Sequence, residues 1–229
     1  MRKALVSARS AENSGLNAQE WATIVDRDGV VCAVAFSGND RNSQMGIGHL
    51  SSAMRANTGN AFAFDASSAA NGKGFPGGLA LSSSNLFGAT QPGGFVSLLP
   101  TSFPVNQAAA FAGTPDRFGS WKDPMVGQRI GGWVAIGGGL ALYGPGQVAV
   151  GGVGAAGDHP CTDHDIAWRV RNLLGLDHMA GMPPLSGDPA HPDNIVYDIP
   201  QGGGPSASGL GHPGCPNMAD PTKLPAVKP

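Results

Sequence analysis

The segment GGGLALYGPGQVAVGGVGAAG, residues 137–157, decides the fold class. It ends the uncharged stretch 130–157, which is long enough to cross a bilayer, but its many glycines and the central sequence Gly-Pro-Gly-Gln argue against a membrane span. Apolar runs at residues 139–143 and 148–153 flank that turn. They predict a β-hairpin, and their continuous apolarity predicts strands covered on both faces. We expect this hairpin to form the core of a sheet.

A second hairpin is predicted nearer the N-terminus. Residues 21–25 and 30–36 flank the turn sequence Asp-Arg-Asp-Gly, in which Gly29 can supply the positive φ that such a turn needs. The first two strands are therefore expected to be antiparallel. Between the hairpins, residues 44–64 have apolar positions compatible with a helix, and residues 79–86 suggest a short one.

The clearest helix signal covers residues 163–174. Thr162 followed by an acidic residue three positions later resembles a capping box, and Gly175 is a typical terminating residue. One face of this helix is apolar, and a second carries an imidazole, an indole and a guanidinium that could face a cleft. The residues of this second face are His164, Trp168 and Arg171.

The remaining chain predicts one domain with a loose end. Residues 88–122 are irregular and suggest a long ordered loop or insertion, and residues 194–199 suggest a last strand. Residues 217–229 contain three prolines and no periodicity. We therefore expect a single domain over residues 1–216, followed by a flexible tail.

Composition limits the classes of function. The chain has 229 residues with 36 Gly and 19 Pro, together about twice their ordinary share, and 41% of it is apolar, which indicates a globular protein rich in turns. A formal charge of −2 provides no basic surface for nucleic acid. The first residues lack the apolar core of a secretory signal, so we expect a cytoplasmic protein or the mature form of an exported one.

Glycines at residues 152–157 match the dinucleotide-binding pattern G-x-G-x-x-G. In that motif the helix begins within the glycines, whereas Pro160 and the Thr162 cap place the helix start later here. The glycines also follow an antiparallel hairpin. The sequence thus argues against a nicotinamide or flavin site.

Imidazoles and thiols gather in two stretches, residues 159–164 and 211–215, which could close on a metal ion, although no familiar ligand spacing supports this. The alternative is that the thiol of Cys161 is buried or forms a disulfide with Cys215, which would suit an oxidising compartment. The candidate metal ligands are His159, Cys161, His164, His212 and Cys215.

Several motifs carry a family resemblance. AMRANTGNAF at residues 53–62 resembles the helix motif A-K-A-N-T-A-N-A-F, and QPGG at residues 91–94 resembles the loop that follows it. Residues 123–132, 137–143, 151–157 and 161–171 continue the match in order. The chain in this respect resembles GlcG/HbpS-type heme-binding proteins. The resemblance implies an α+β domain, in which helices pack on a largely antiparallel sheet of two hairpins, that forms homo-oligomers.

Heme is the ligand that this resemblance implies, and a heme site needs an apolar slot, an axial donor and cations for the propionates. His164 is the first axial candidate because Trp168, on the same helix face, could stack on the macrocycle. Oxygen ligation by Thr58 or Tyr143 stays open. The other axial candidates are His212 and His49, and the propionate candidates are Arg55, Arg129 and Arg171. The implied role is a heme carrier, store or sensor.

An enzyme is the alternative. In this interpretation His164 is a general base next to Asp163 or Asp165, and an arginine holds a small carboxylate substrate, with or without a metal. A structural oligomer with an unused pocket is a third class.

Overall fold

Two antiparallel sheets form the β part of the structure, a computed structural model that describes residues 1–69, 74–94, 96 and 104–229. The strands are β1 (Trp21–Asp26), β2 (Val31–Phe36), β3 (Ala63–Phe64), β4 (Leu79–Ala80), β5 (Gly139–Gly144) and β6 (Val148–Ala156). The larger sheet has the spatial order β2, β1, β6, β5, and β3 pairs with β4. All these pairings are antiparallel, and the sequence predicts two of them, β1 with β2 and β5 with β6.

Helices cover both faces of the larger sheet, which confirms the α+β class. The α-helices are α1 (Arg2–Ser10), α2 (Gly48–Ala61), α3 (Leu86–Thr90), α4 (Gln107–Ala110) and α5 (Pro160–Leu173), and short 3-10 helices occupy Arg41–Ser43, Ala66–Ala69, Ser83–Asn85, Pro115–Arg117 and Pro221–Lys223. α2 packs on one face of the sheet, and α1 and α5 pack on the other. None of these helices reaches the length and apolar character that a bilayer crossing requires.

Both predicted hairpins are confirmed. In the first, β1 and β2 pair from Trp21 opposite Phe36, and the carboxylate of Asp26 accepts backbone N–H bonds from Asp28 and Val30 across the turn. In the second, β6 extends three residues beyond its predicted end. It lies between β1 and β5, and β5 is buried along its whole length.

Glycines on β6 allow α2 to approach the sheet closely. A Cβ on Gly152 would overlap the backbone oxygen of Ala56, and one on Gly154 would overlap that of Ser52. On the helix side, a Cβ on Gly59 would meet the backbone of Leu140 on β5. Close packing between helix and sheet is therefore a sufficient reason for the glycine-rich pattern of residues 152–157.

Two helix predictions need correction. The helix expected over residues 44–64 is the shorter α2. The helix expected over residues 79–86 is wrong, because residues 79–80 form β4 and Ser82 begins a 3-10 turn. There the backbone N–H of Ser82 donates to the Asn85 side chain at 3.0 Å, a local hydrogen bond that competes with α-helix formation.

The helix α5 begins earlier than predicted. His159 is its N-cap residue and Pro160 occupies the first turn, where a missing N–H costs nothing. Thr162 is not the cap, and its hydroxyl lies 2.9 Å from that of Ser14. Gly175 follows the helix with a φ of +67°, as expected for a terminating glycine.

The segments outside the sheet differ from the prediction in two places. Residues 194–199 form no strand, and α1 was not foreseen, although Leu5 and Ala8 bury one face of it. The predicted insertion at 88–122 includes residues 95 and 97–103, which lie outside the described part. The predicted tail, residues 217–229, lies against the core through the buried Leu224.

Candidate functional site

The predicted second face of α5 lies in the interior. His164, Trp168 and Arg171 are each completely buried, so the structure brings them together inside the core. The guanidinium of Arg171 lies 4.3 Å from the centre of the Trp168 ring. It also donates two hydrogen bonds, of 2.6 and 2.9 Å, to the carboxylate of Asp193. This cation is thus already balanced by a buried anion.

His164 is held as a neutral imidazole. Its Nε2 lies 3.1 Å from Oδ1 of Asn194 and donates to it, while Nδ1 has no hydrogen-bond partner among the described residues. Burial lowers the pKa of His164 to about 4. A neutral nitrogen is available here as a weak base, but it lies in the protein core.

A buried charged cluster lies under the first turn of α5. Arg55 donates to the carboxylate of Asp163 and, at 2.6 Å, to the backbone oxygen of Ala155. Asp163 also accepts backbone N–H bonds from residues 157 and 158. Burial and then the charge of Asp163 raise the pKa of the neighbouring Glu20 well above its ordinary value. The cluster joins α5 to α2 and the sheet, so Arg55 faces protein groups.

The other sequence candidates are dispersed. Arg129 is exposed at the first hairpin, where its Nε donates to the backbone oxygen of Asp28 at 2.8 Å. His49 lies 2.8 Å from the carboxylate of Asp123 on the α2 side of the sheet. Thr58 Oγ1 donates to a backbone oxygen within α2, and the Tyr143 hydroxyl donates to the oxygens of residues 64 and 79. The structure does not gather these residues around one cavity.

The two imidazole and thiol stretches do meet. Cys161 and Cys215 form a disulfide, one of the two possibilities left open by the sequence. A ring nitrogen of His212 lies within 4.8 Å of both sulfur atoms. The Nδ1 of His212 donates to the backbone oxygen of Pro213 at 2.7 Å, and its Nε2 accepts a long 3.4 Å bond from the N–H of Gly137. His159 and His164, the other proposed ligands, are not part of this group.

A cavity of about 630 Å³ opens beside the disulfide. Its volume lies within the range typical of small-molecule sites. Two loops form its walls: one is the segment that was predicted as a strand, and the other follows His212. The lining residues are Tyr197, Ile199, Pro200, Gln201, Gly202, Gly203, Pro213, Gly214, Cys215, Pro216 and Met218.

Sequence reasoning missed Tyr197 and Met218 in this cavity. No motif marks either residue, and the contact between their loops arises only in the folded chain. The one sequence signal that leads here is the possible pairing of Cys215 with Cys161, which ties the second loop to the start of α5.

No protein-family model and no curated protein matches the chain. Among solved structures, it is similar to a PduOC:heme complex, with 18% identity over 74% of this chain and 86% of that chain and a TM-score of 0.42. It is similar to the Klebsiella pneumoniae protein ORFY, with 17% identity over 75% of this chain and 83% of that chain and a TM-score of 0.42. It is also similar to HbpS, a protein of the type that the sequence motifs resemble, with 18% identity over 76% of this chain and 83% of that chain and a TM-score of 0.38. Likeness of this degree says nothing about a ligand, so a function for this chain has to be argued from its own side chains.

Proposed function

We propose that this protein binds heme in the cavity next to the Cys161–Cys215 disulfide. The observation that carries the proposal is the cavity of about 630 Å³, whose walls combine apolar surface with a phenol and a thioether. Ile199, Pro213 and Pro216 supply part of the apolar surface. A flat, mostly apolar macrocycle requires a site of this kind.

The axial donors in this proposal are Met218 and Tyr197. Methionine and tyrosine both belong to the side chains that hold heme iron in proteins. Burial raises the pKa of Tyr197, so its oxygen is a neutral phenol and the Met218 sulfur is the readier donor. Of the histidines proposed from the sequence, His212 is next to this cavity along the chain, because the following residue, Pro213, lines it.

The propionates have candidate partners in an adjoining cavity of about 260 Å³. It shares Met218 with the larger cavity, and Arg169 and Lys223 line it. A cation in a cavity that adjoins the macrocycle site suits a carboxylate at the edge of the macrocycle. Arg55 and Arg171 each face a buried carboxylate, and Arg169 lies 3.3 Å from the buried carboxylate of Glu12, so the exposed Lys223 is the preferred partner.

Reversible binding at a partly open site suits a heme carrier, store or sensor. The alternative, an enzyme with His164 as base and Asp163 or Asp165 beside it, stays a prediction. His164 lies completely inside the core, and no observation at the cavity favours this alternative.

A hemin titration followed in the Soret region tests the proposal on the oxidised protein. We expect one equivalent to bind, and Met218→Leu to change the Soret position or weaken binding at least about tenfold, since a metal ligand is lost. Met45→Leu is the matched control, because Met45 is 41% exposed against 45% for Met218 and does not line the cavity.

Three further variants test the location of the site. Tyr197→Phe should alter the spectrum, and Tyr143→Phe, at the other tyrosine, should not. If His164→Asn abolished the Soret shift while Met218→Leu bound hemin normally, the heme would lie at α5 and the cavity assignment would be wrong. Absence of any saturable Soret shift in the wild type would overturn heme binding itself.

A further inference from the structure

The Cys161–Cys215 disulfide lies close to the imidazole of His212. His212 is only 2% exposed, and one of its ring nitrogens is within 4.8 Å of both sulfurs. Two thiolates and one imidazole form a donor set typical of zinc. The disulfide prevents that chemistry, because the electron pairs of a thiolate are available only after reduction.

We propose that reduction of the Cys161–Cys215 disulfide creates a Zn²⁺ site whose protein ligands are the two thiolates and the imidazole of His212. The proposal is independent of heme binding. It assigns the disulfide a regulatory chemistry in addition to the constraint it places on the chain.

The reaction requires an external reductant, for which we name the class of dithiols. The reductant cleaves the sulfur–sulfur bond and is itself oxidised to a disulfide, while Cys161 and Cys215 become thiols. Binding of Zn²⁺ then forms two zinc–sulfur bonds and one zinc–nitrogen bond. The two thiol protons leave to solvent.

The hydrogen bonds of His212 leave the lone pair of one ring nitrogen for a metal. The Nδ1–H donates to the backbone oxygen of Pro213 at 2.7 Å, which fixes the tautomer with the lone pair on Nε2. A backbone acceptor on the second ring nitrogen is the usual arrangement around a ligating histidine. In the oxidised protein Nε2 accepts only the 3.4 Å bond from Gly137, so a metal would replace a weak interaction.

The cysteines have complementary positions. Cys161 lies in the first turn of α5, where the helix dipole favours a thiolate. Cys215 lines the cavity of about 630 Å³. Three protein ligands leave the fourth position of a tetrahedral zinc ion to water or a small ligand from the cavity.

Metal titration of the heme-free protein tests the proposal. The protein is reduced with a phosphine, freed of metal with a chelator and titrated with Zn²⁺ against a chromophoric zinc chelator. Co²⁺ serves as a second probe, because thiolate coordination produces charge-transfer absorption. We expect one equivalent to bind to the reduced protein and none to the oxidised protein.

Variants identify the ligands. In Cys215→Ser the Co²⁺ complex should no longer show charge transfer from two thiolates, because one sulfur ligand is lost. His212→Asn should weaken Zn²⁺ binding at least about tenfold. Cys32→Ser is the matched control, since it removes the exposed free cysteine and should leave Zn²⁺ binding unchanged.

Three results would overturn the proposal: no stoichiometric Zn²⁺ binding after reduction, loss of binding in Cys32→Ser, or unchanged affinity in His212→Asn. Circular dichroism is recorded on each reduced sample. A reduced protein that unfolds and does not refold with Zn²⁺ also counts against the site, whereas refolding that depends on Zn²⁺ supports it. A negative hemin titration would leave this result unaffected, and the reverse is also true.

Discussion

Asp165 is a buried carboxyl group whose ionisation opposes folding. It is 2% exposed, and its Oδ1 has no hydrogen-bond partner among the described residues. Burial, and then the charge of Glu12, raises the pKa of Asp165 to about 8 from an ordinary value of 3.8. Because the folded state holds the proton more tightly than the unfolded state, the stability due to this group falls as the pH rises from about 3.8 to 8.

Asp165→Asn should therefore stabilise the protein most at the alkaline end of this range. His164 has the opposite effect below pH 6.5, since its lowered pKa makes the folded state lose stability as the pH falls from 6.5 towards 4. Above pH 6.5, of these two groups only Asp165 makes the unfolding free energy depend on pH. As the pH rises from about 6.5 to 8, we expect the unfolding free energy of the variant to increase relative to that of the wild type by up to about 2 kcal/mol.

Chemical denaturation at a series of pH values measures this gain. Asp116→Asn is the control, because the Asp116 side chain is 89% exposed. This substitution should change neither the unfolding free energy nor its dependence on pH. Parallel curves for wild type and Asp165→Asn across that interval would show that Asp165 is ionised in the folded protein, contrary to the prediction.

The contact between α2 and the sheet depends on the absence of side chains at Gly152 and Gly154 of β6. A methyl group at Gly154 would overlap backbone atoms of Ser52 and Ala56, and neither backbone can move without shifting the helix. Gly154→Ala should therefore destabilise the protein by about 1–3 kcal/mol, which corresponds to a fall in Tm of roughly 2–12 °C. Thermal unfolding measures it, and Gly46→Ala is the control, since nothing lies within 4 Å of a Cβ there. Equal melting temperatures for the two variants would contradict this account.

Local patterns predicted the elements that carry their own signals. The turn glycine Gly29 and the Gly-Pro-Gly-Gln turn mark both hairpins, and Gly175 marks the end of α5, so these elements follow from sequence. Short-range patterns failed where tertiary contacts decide. The segment 194–199 has strand-like composition, yet its Asn194 uses the side chain to accept from the N–H of Ile195 and from His164, so no ladder forms there.

The candidate site shows the same limit over longer distances. The shared face of His164, Trp168 and Arg171 was correctly predicted from helix spacing, but the sequence could not place Asp193 against Arg171. That buried ion pair decides whether the face is a wall of the core or of a cleft. The cavity next to Cys215 joins two segments without periodicity, so no pattern could identify it. Assembly into a homo-oligomer stays a prediction.

The C-terminal segment tests how far composition predicts behaviour of the whole molecule. Three prolines and no periodicity predict a flexible tail over residues 217–229, yet the indole N–H of Trp168 donates to the backbone oxygen of Pro225 at 2.9 Å. Leu224 is only 6% exposed, and it belongs to the core cluster that includes Leu5 and Trp168. Proline restricts the backbone but does not prevent packing, so the contacts argue for a segment that contributes to stability.

Leu224→Ala should lower the unfolding free energy by about 2–4 kcal/mol, because it leaves a cavity in the core cluster that Leu224 shares with Leu5 and Trp168. Removal of residues 217–229 should lower it further, since the indole of Trp168 would lose its hydrogen-bond acceptor and its cover. Thermal and urea unfolding measure both changes, with Lys223→Ala, at an exposed side chain, as the control. If the truncated protein melted at the temperature of the full chain, the segment would be a loose tail after all. If stability instead fell from Lys223→Ala to Leu224→Ala and fell further on truncation, residues 217–229 would be part of the domain.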